Sequence, residues 1–156
     1  MSAGPTHLVL IPTYNTGGAR LLATVREALA QWPDVWVVVD GSTDGSEAGV
    51  VELARTESRL RVVPLPRNGG KGAAVLAGSV AALAAGFTHA LVMDADGQHP
   101  ADRIRDFMAA AQAEPAALVL GRPVFGLEAP LVRLKGRKLS IGLVHFETGG
   151  DGIDLE

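Results

Sequence analysis

The sequence predicts an α/β fold: a mainly parallel central sheet with helices on both sides. Three observations carry this. Apolar runs of strand length alternate with helical patterns along most of the chain, as successive βα units require. The strand runs are continuously apolar, as strands covered on both faces are. Four polar, glycine-rich stretches each follow one of these runs, which places them outside the carboxyl ends of the strands, where such sheets bind ligands.

His7–Pro12 (HLVLIP) reads as the first strand. Ala19–Trp32 reads as a helix, because Leu21, Leu22, Val25 and Leu29 recur at three- and four-residue steps. Val35–Asp40 (VWVVVD) is a second strand, followed by a helix around Glu47–Glu57. Leu60–Leu65 (LRVVPL) is a third strand and Lys71–Gly86 a third helix. His89–Asp94 (HALVMD) is a fourth strand. Pro100 suits the first turn of the next helix, on which Ile104, Phe107, Met108 and Ala111 share a face. Ala116–Gly121 is a fifth strand. Beyond it the pattern weakens to a helix near Leu131–Phe146 and a glycine-rich acidic tail.

Gly72–Met93 contains no Asp, Glu, Lys or Arg and is long enough to cross a bilayer. It is rich in alanine and interrupted at Gly86–His89, whereas spanning helices are richer in Leu, Ile and Val. It is read as a buried helix, a turn and a buried strand.

The bulk numbers narrow the function. A chain of 156 residues suits one domain. A net charge of -3 argues against a partner bound by neutralising phosphates, so no nucleic acid is expected. The chain has no cysteine, which removes disulfides and thiolate metal sites and fits a cytoplasmic protein. Residues 1–6 lack the basic and apolar regions of a signal peptide, so none is expected.

The chemistry concentrates in LVMDADGQHP, Leu91–Pro100. On an extended chain Asp94 and Asp96, two apart, point to one side. Two carboxylates there repel unless a cation sits beside them. Mg²⁺ or Mn²⁺ suits oxygen ligands and is often shared with phosphates, and Gln98 offers a third oxygen. The plain alternative is a helix-capping loop. His99 is read as bonding backbone rather than as a ligand. Asp40 ends the second strand and can accept N–H bonds from a nucleobase edge, or cap its own loop. RNGGKG (Arg67–Gly72) lets backbone approach a ligand, with Lys71 as a cation for phosphate. It is not a P-loop, which needs glycine where Leu65 stands and Ser or Thr where Gly72 stands. An EF-hand starting at Asp94 fails because its twelfth residue is Arg105. An aspartyl phosphatase would want a hydroxyl residue in place of Gln98.

Four motifs, in order, carry a resemblance: IPTYN (Ile11–Asn15), VVVDGSTDGS (Val37–Ser46), RNGGKGAA (Arg67–Ala74) and MDADGQHP (Met93–Pro100). They resemble the family-2 glycosyltransferases, which have the GT-A fold, a Rossmann-like three-layer sandwich. The branch they most resemble is the dolichyl-phosphate-mannose-synthase-like one, and within it the bacterial aryl-polyene or lipid-linked type. The resemblance implies that Pro12, Tyr14 and Asn15 lie against the nucleoside and that Asp40 receives the base. It implies that Gly70 and Lys71 lie near ribose and diphosphate, and that Asp94 serves ribose and metal. Asp96 and Gln98 then hold Mg²⁺ or Mn²⁺, with Asp96 acting in catalysis through it, and Arg122 approaches the phosphates. The donor would be a UDP- or GDP-sugar. The acceptor would be a lipid phosphate or glycolipid, bringing a peripheral protein to the inner face of the membrane, and transfer would invert the anomeric carbon. Relatives continue past HFETGGDGIDLE (His145–Glu156), so the resemblance reads as C-terminally truncated. It divides the chain into a donor-binding core at 1–125 and the incomplete start of an acceptor side at 126–156. Glu147 is the candidate base, with Asp151 and Asp154 nearby. The alternatives are a sugar-nucleotide nucleotidyltransferase, which would want a basic glycine-rich loop after the first strand where TYNTGGAR stands, and a non-catalytic nucleotide-sugar-binding chain.

Overall fold

The computed structural model describes residues 6–121 and the strand at 153–155. Its elements are β1 (His7–Thr13), α1 (Gly18–Gln31), β2 (Val35–Asp40), α2 (Ala48–Ala54), β3 (Leu60–Leu65), α3 (Lys71–Ala84) and β4 (His89–Val92). A 3-10 turn (Ala101–Arg103), α4 (Ile104–Ala113), β5 (Val119–Gly121) and β6 (Ile153–Leu155) follow. The chain divides into two compact units, Met1–Met108 and Ala109–Glu156. In the second, β5 pairs parallel with β6, Val119 opposite Ile153 and Gly121 opposite Leu155. The helix expected at Leu131–Phe146 lies outside the described residues.

In the first unit all pairings are parallel and the strand order is β3-β2-β1-β4. The chain moves outward from β1 to β3, then returns to the far side of β1. That reversal is the topological switch point beside which α/β sheets bind ligands.

Alternation along the two central strands makes the layers. Val9, Ile11, Val35, Val37 and Val39 face one way and pack with Leu21, Val25 and Leu29 of α1, Val50 of α2, and Ile104 and Met108 of α4. Leu8, Leu10, Trp36 and Val38 face the other way and pack with Ala74 and Ala82 of α3 and with Phe87. Burying each large aliphatic side chain contributes roughly 1.5–3 kcal/mol. α1 stops where Pro33 follows Trp32, since proline cannot continue the hydrogen-bond ladder. The uncharged stretch at Gly72–Met93 resolves into α3, a turn at Gly86 with φ 94°, and β4. Among the described residues no helix is long and apolar enough to cross a membrane.

Two expectations need correction. β1 and β2 are buried along their whole length, but β3 and β4 are only partly so. Among the described residues they are the outer strands of this sheet, so their apolar runs do not imply cover on both faces. β4 also ends at Val92 rather than Asp94, and a turn begins at Ala95. Asp94 and Asp96 therefore do not share one extended segment, and strand spacing does not set their directions.

Candidate functional site

Because the four strands are parallel, the loops after β1, β2, β3 and β4 meet at one edge. Side chains stitch each to the next in sequence. Asn15, in the left-handed region at φ 48° that asparagine tolerates, joins the first two. Its N–H donates to Ser42 Oγ at 3.1 Å, its Nδ2 to Thr43 Oγ1 at 3.3 Å, and its Oδ1 accepts the Thr43 N–H at 2.8 Å. Within the second loop Asp44 Oδ1 accepts the Ser46 N–H at 3.0 Å.

Asp40 joins the second loop to the third. Its side chain is buried, and its two oxygens accept the Gly69 and Gly70 N–H groups at 2.9 and 2.8 Å. The same approach fixes Gly41. Its φ is 63°, and an added Cβ would stand 2.5 Å from the backbone of Arg67 and Asn68. Two backbones cross here, and only glycine fits.

Lys71 joins the third loop to the fourth, its Nζ ion-paired with Asp94 Oδ1. His99 Nδ1 accepts the Asp94 N–H at 3.1 Å, the backbone role expected of it, and its Nε2 lies 3.7 Å from Asp94 Oδ2. Asp96 Oδ1 accepts the Gln98 N–H at 3.0 Å. Thr24, buried on the apolar stripe of α1, sits beneath this turn. Its hydroxyl lies 3.2 Å from Ala95 O and 3.1 Å from Arg20 O, so one proton serves both.

The predicted residues thus fall into groups. Asn15, Asp40, Gly70, Lys71, Asp94, Asp96 and Gln98 lie in these four loops or at their junctions with the strands. Tyr14 follows β1 in the first of these loops and is 47% exposed. Pro12 is buried within β1. Arg122 and Glu147 lie outside the described residues. Asp40 is already committed to the loop it holds, and a base N–H would need the remaining lone pair of one oxygen. Gly41 and Thr24 carry structural duties not anticipated from sequence. For Thr24 the signal was a hydroxyl on an otherwise apolar helix face. A separate hollow of about 300 Å³ between α2 and the β2–β3 edge is lined by Val39, Gly41, Ser42, Glu47, Val51, Val62, Pro64 and Leu65. None of the predicted site residues lines it.

α3 begins at this edge. Its N-cap, Gly70, provides no side-chain cap, so amides of its first turn and the positive end of its dipole are available to an anion beside Lys71. The edge therefore offers the Lys71 ammonium, a helix start, the Asp94 and Asp96 carboxylates and the exposed Tyr14.

Known proteins resemble this chain in sequence and in fold. The pattern described as glycosyl transferase family 2 matches residues 8–146. Polyprenol monophosphomannose synthase of Mycolicibacterium smegmatis is 37% identical over 109 residues, covering 68% of this chain and 41% of the relative. The structure of S. aureus TarS 1-349 in complex with UDP superimposes with a TM-score of 0.52 at 26% identity, covering 80% of this chain and 38% of TarS. The mannosyltransferase PcManGT of Pyrobaculum calidifontis, in complex with GDP-Man and Mn²⁺, superimposes with a TM-score of 0.57 at 26% identity, covering 76% and 36%. The chain belongs to glycosyl transferase family 2, and its α/β sandwich is the GT-A fold of these neighbours. It spans about a third to two fifths of the length of the curated relatives it matches.

Proposed function

We propose that the chain forms the donor-binding part of a glycosyltransferase that moves a sugar from a nucleoside-diphosphate sugar to a lipid-linked or polyprenyl-phosphate acceptor. The single observation that carries this is the stitched edge. Asn15, Asp40 and Lys71 each tie one loop to the next, building a floor on which Tyr14, the start of α3 and the two aspartates are presented together. The polyprenol monophosphomannose synthase relative supports a lipid-phosphate acceptor. The UDP and GDP-Man complexes support a nucleotide donor.

In this reading Tyr14 stacks on the base and Asp40 holds the third loop against it. Lys71 and the first turn of α3 receive the diphosphate. A divalent cation fits the donor set, since Asp94, Asp96 and Gln98 supply only oxygens. Among the described residues no group of three His, Cys, Asp or Glu side chains converges, so these residues would hold the ion together with the donor phosphates rather than by themselves. When bound, the ion neutralises charge developing on the leaving diphosphate. The acceptor oxygen forms its bond to the anomeric carbon from the face opposite the departing phosphate oxygen, and the nucleoside diphosphate leaves with the bonding pair. An ionised phosphate acceptor carries no proton to remove. A hydroxyl acceptor would need a base, for which Glu147 is proposed; Arg122 is proposed to meet the phosphates.

The test is calorimetric titration of the chain with UDP and with GDP, each with Mn²⁺ and each with EDTA. Metal-dependent binding of one nucleotide, lost in Asp96→Ala, is expected. A folded chain that binds neither nucleotide overturns the reading. Turnover of a nucleotide sugar faster than by Asp96→Ala would exclude a role limited to binding.

A further inference from the structure

Asp94 and Asp96 place two carboxylates in one loop, yet the first is already compensated from within the chain. Lys71 Nζ is bonded to Asp94 Oδ1. Because His99 Nδ1 accepts the Asp94 N–H at 3.1 Å, the neutral ring carries its proton on Nε2, which faces Asp94 Oδ2 at 3.7 Å. One oxygen of Asp94 thus meets a donor of the protein, and the other faces a ring N–H beyond hydrogen-bond distance. Asp96 differs: one oxygen accepts the Gln98 N–H, and no ion pair reaches it among the described residues. A divalent cation that uses both aspartates has to compete with Lys71.

That competition is arranged to be winnable. The Lys71 side chain is 61% exposed and that of Asp94 35%. An exposed pair of this kind is worth at most about five-fold in an equilibrium constant, little against direct carboxylate bonds to a divalent ion. Lys71 is also the first residue of α3, so its flexible stem moves the ammonium beside a helix start that attracts anions. The pair links the loops after β3 and β4, the outer strands, and so spans the carboxyl ends of β2 and β1 between them.

We infer that Lys71 is a positioning residue that occupies the cation place at Asp94 in the resting chain and passes to the donor diphosphate when metal and nucleotide arrive. The inference rests on the donor-site reading. Metal alone is then bound up to about five-fold less tightly than it would be at a free Asp94, because it must displace the ammonium with nothing to receive it. Metal and nucleotide favour each other, since the phosphates take up the ammonium that the metal releases, and this coupling is reciprocal.

The experiment measures Mn²⁺ binding without nucleotide, reading free Mn²⁺ by electron paramagnetic resonance, in the wild-type chain, Lys71→Met, Lys71→Gln and Lys71→Arg. UDP and GDP binding in the presence of Mn²⁺ is then measured by calorimetry. Lys71→Met is expected to bind Mn²⁺ alone about five-fold more tightly than wild type, while nucleotide affinity falls about ten-fold. Lys71→Arg follows wild type with metal alone, and Lys71→Gln repeats the methionine result should that variant not fold. Neutral variants that bind Mn²⁺ alone no more tightly than wild type overturn the inference, even where nucleotide binding drops. The donor-site reading fails separately, when wild type binds neither nucleotide with Mn²⁺; tightening of Mn²⁺ in Lys71→Met would still establish the occupied cation place, and the transfer to diphosphate would be overturned.

Discussion

At the carboxyl ends of β1 to β4, polar side chains reach across to neighbouring loops; at the amino ends of β1 and β4, polar side chains are stacked and sealed. His7 and His89 begin their strands as register partners. Their rings stack with centroids 4.3 Å apart and planes 3° from parallel. Thr6 Oγ1 lies 2.8 Å from His7 Nδ1 and Thr88 Oγ1 2.8 Å from His89 Nδ1, while Trp32 Nε1 donates to His7 O at 2.9 Å. Burial first, and the neighbouring His89 second, hold the His7 imidazole below its ordinary range. The contrast separates two uses of polar groups. The sealed end stacks two imidazoles and leaves His7 Nε2 buried without a hydrogen-bond partner, a place that disfavours charge. The open end spends backbone amides on Asp40 and keeps Lys71, Asp94 and Asp96 partly in water, where charge is cheap to hold and ready for exchange.

Substitutions that treat the two ends differently would sharpen or break this contrast. The largest loss of stability is expected from Gly41→Ala, which puts a Cβ 2.5 Å from backbone at φ 63°. Overpacking and the left-handed conformation together cost about 3 kcal/mol. A thermal melt unchanged from wild type would mean that the loops do not cross as described. Asp40→Ala leaves the Gly69 amide unpaired and the Gly70 amide with Asn68 Oδ1 alone, an expected loss of about 2 kcal/mol in denaturant titration, with nucleotide binding lost as the third loop drifts. Asp40→Asn keeps one acceptor but sets an NH₂ against the other amide, so it should recover only part of that loss; stability equal to wild type would mean that the paired bonds do not hold the loop. Asn15→Ala removes the two more exposed side-chain bonds to Thr43, and about 1 kcal/mol is expected.

The sealed end gives a smaller, pH-dependent effect. The folded-state value of His7 lies below its ordinary 6.5, so below about that pH the unfolded chain binds more protons than the folded one. Stability should fall as pH drops from 6.5 through the folded value and be indifferent to this group above it. His7→Phe keeps an aromatic ring and should flatten that part of a melting-temperature profile; an unaltered profile would assign the acid loss elsewhere. Asp96→Ala should change stability least, within about 0.5 kcal/mol, while abolishing metal-dependent nucleotide binding. A large fall in its melting temperature would make Asp96 a scaffold residue.

Much of this was legible in the sequence because it is local. Periodicity and proline placed β2 and β3 to the residue and α1 and α3 within two residues of their ends. β4 was read too long because Met93 continues the apolar run after the ladder has ended. The outer position of β3 and β4 was hidden, since strand order comes from packing and not from any one run. β6 was not expected, because Ile153–Leu155 gains its strand character from pairing with β5, far away in sequence. In the site, residue types and loops were readable, but who bonds to whom was not. The bond from Asp40 to Gly69 and Gly70 spans 29 and 30 positions, and nothing local to either motif encodes it.

α3 meets the sheet through Ala74, Gly78 and Ala82, its buried residues at four-residue intervals. An added Cβ at Gly78 would stand 2.6 Å from Val38 Cγ2 and 2.8 Å from Leu10 Cδ1, whereas one at Gly72 would meet nothing within 4 Å. Two glycines on one helix therefore have opposite evolutionary freedom. Gly72 can drift to alanine and gain stability by stiffening the unfolded chain. Gly78 acts as a gauge block: it sets the clearance between helix and sheet, and so the height at which Lys71, two turns away, is carried above the strand ends. Variation that thickens this contact would retune the site from a distance without altering any residue in it.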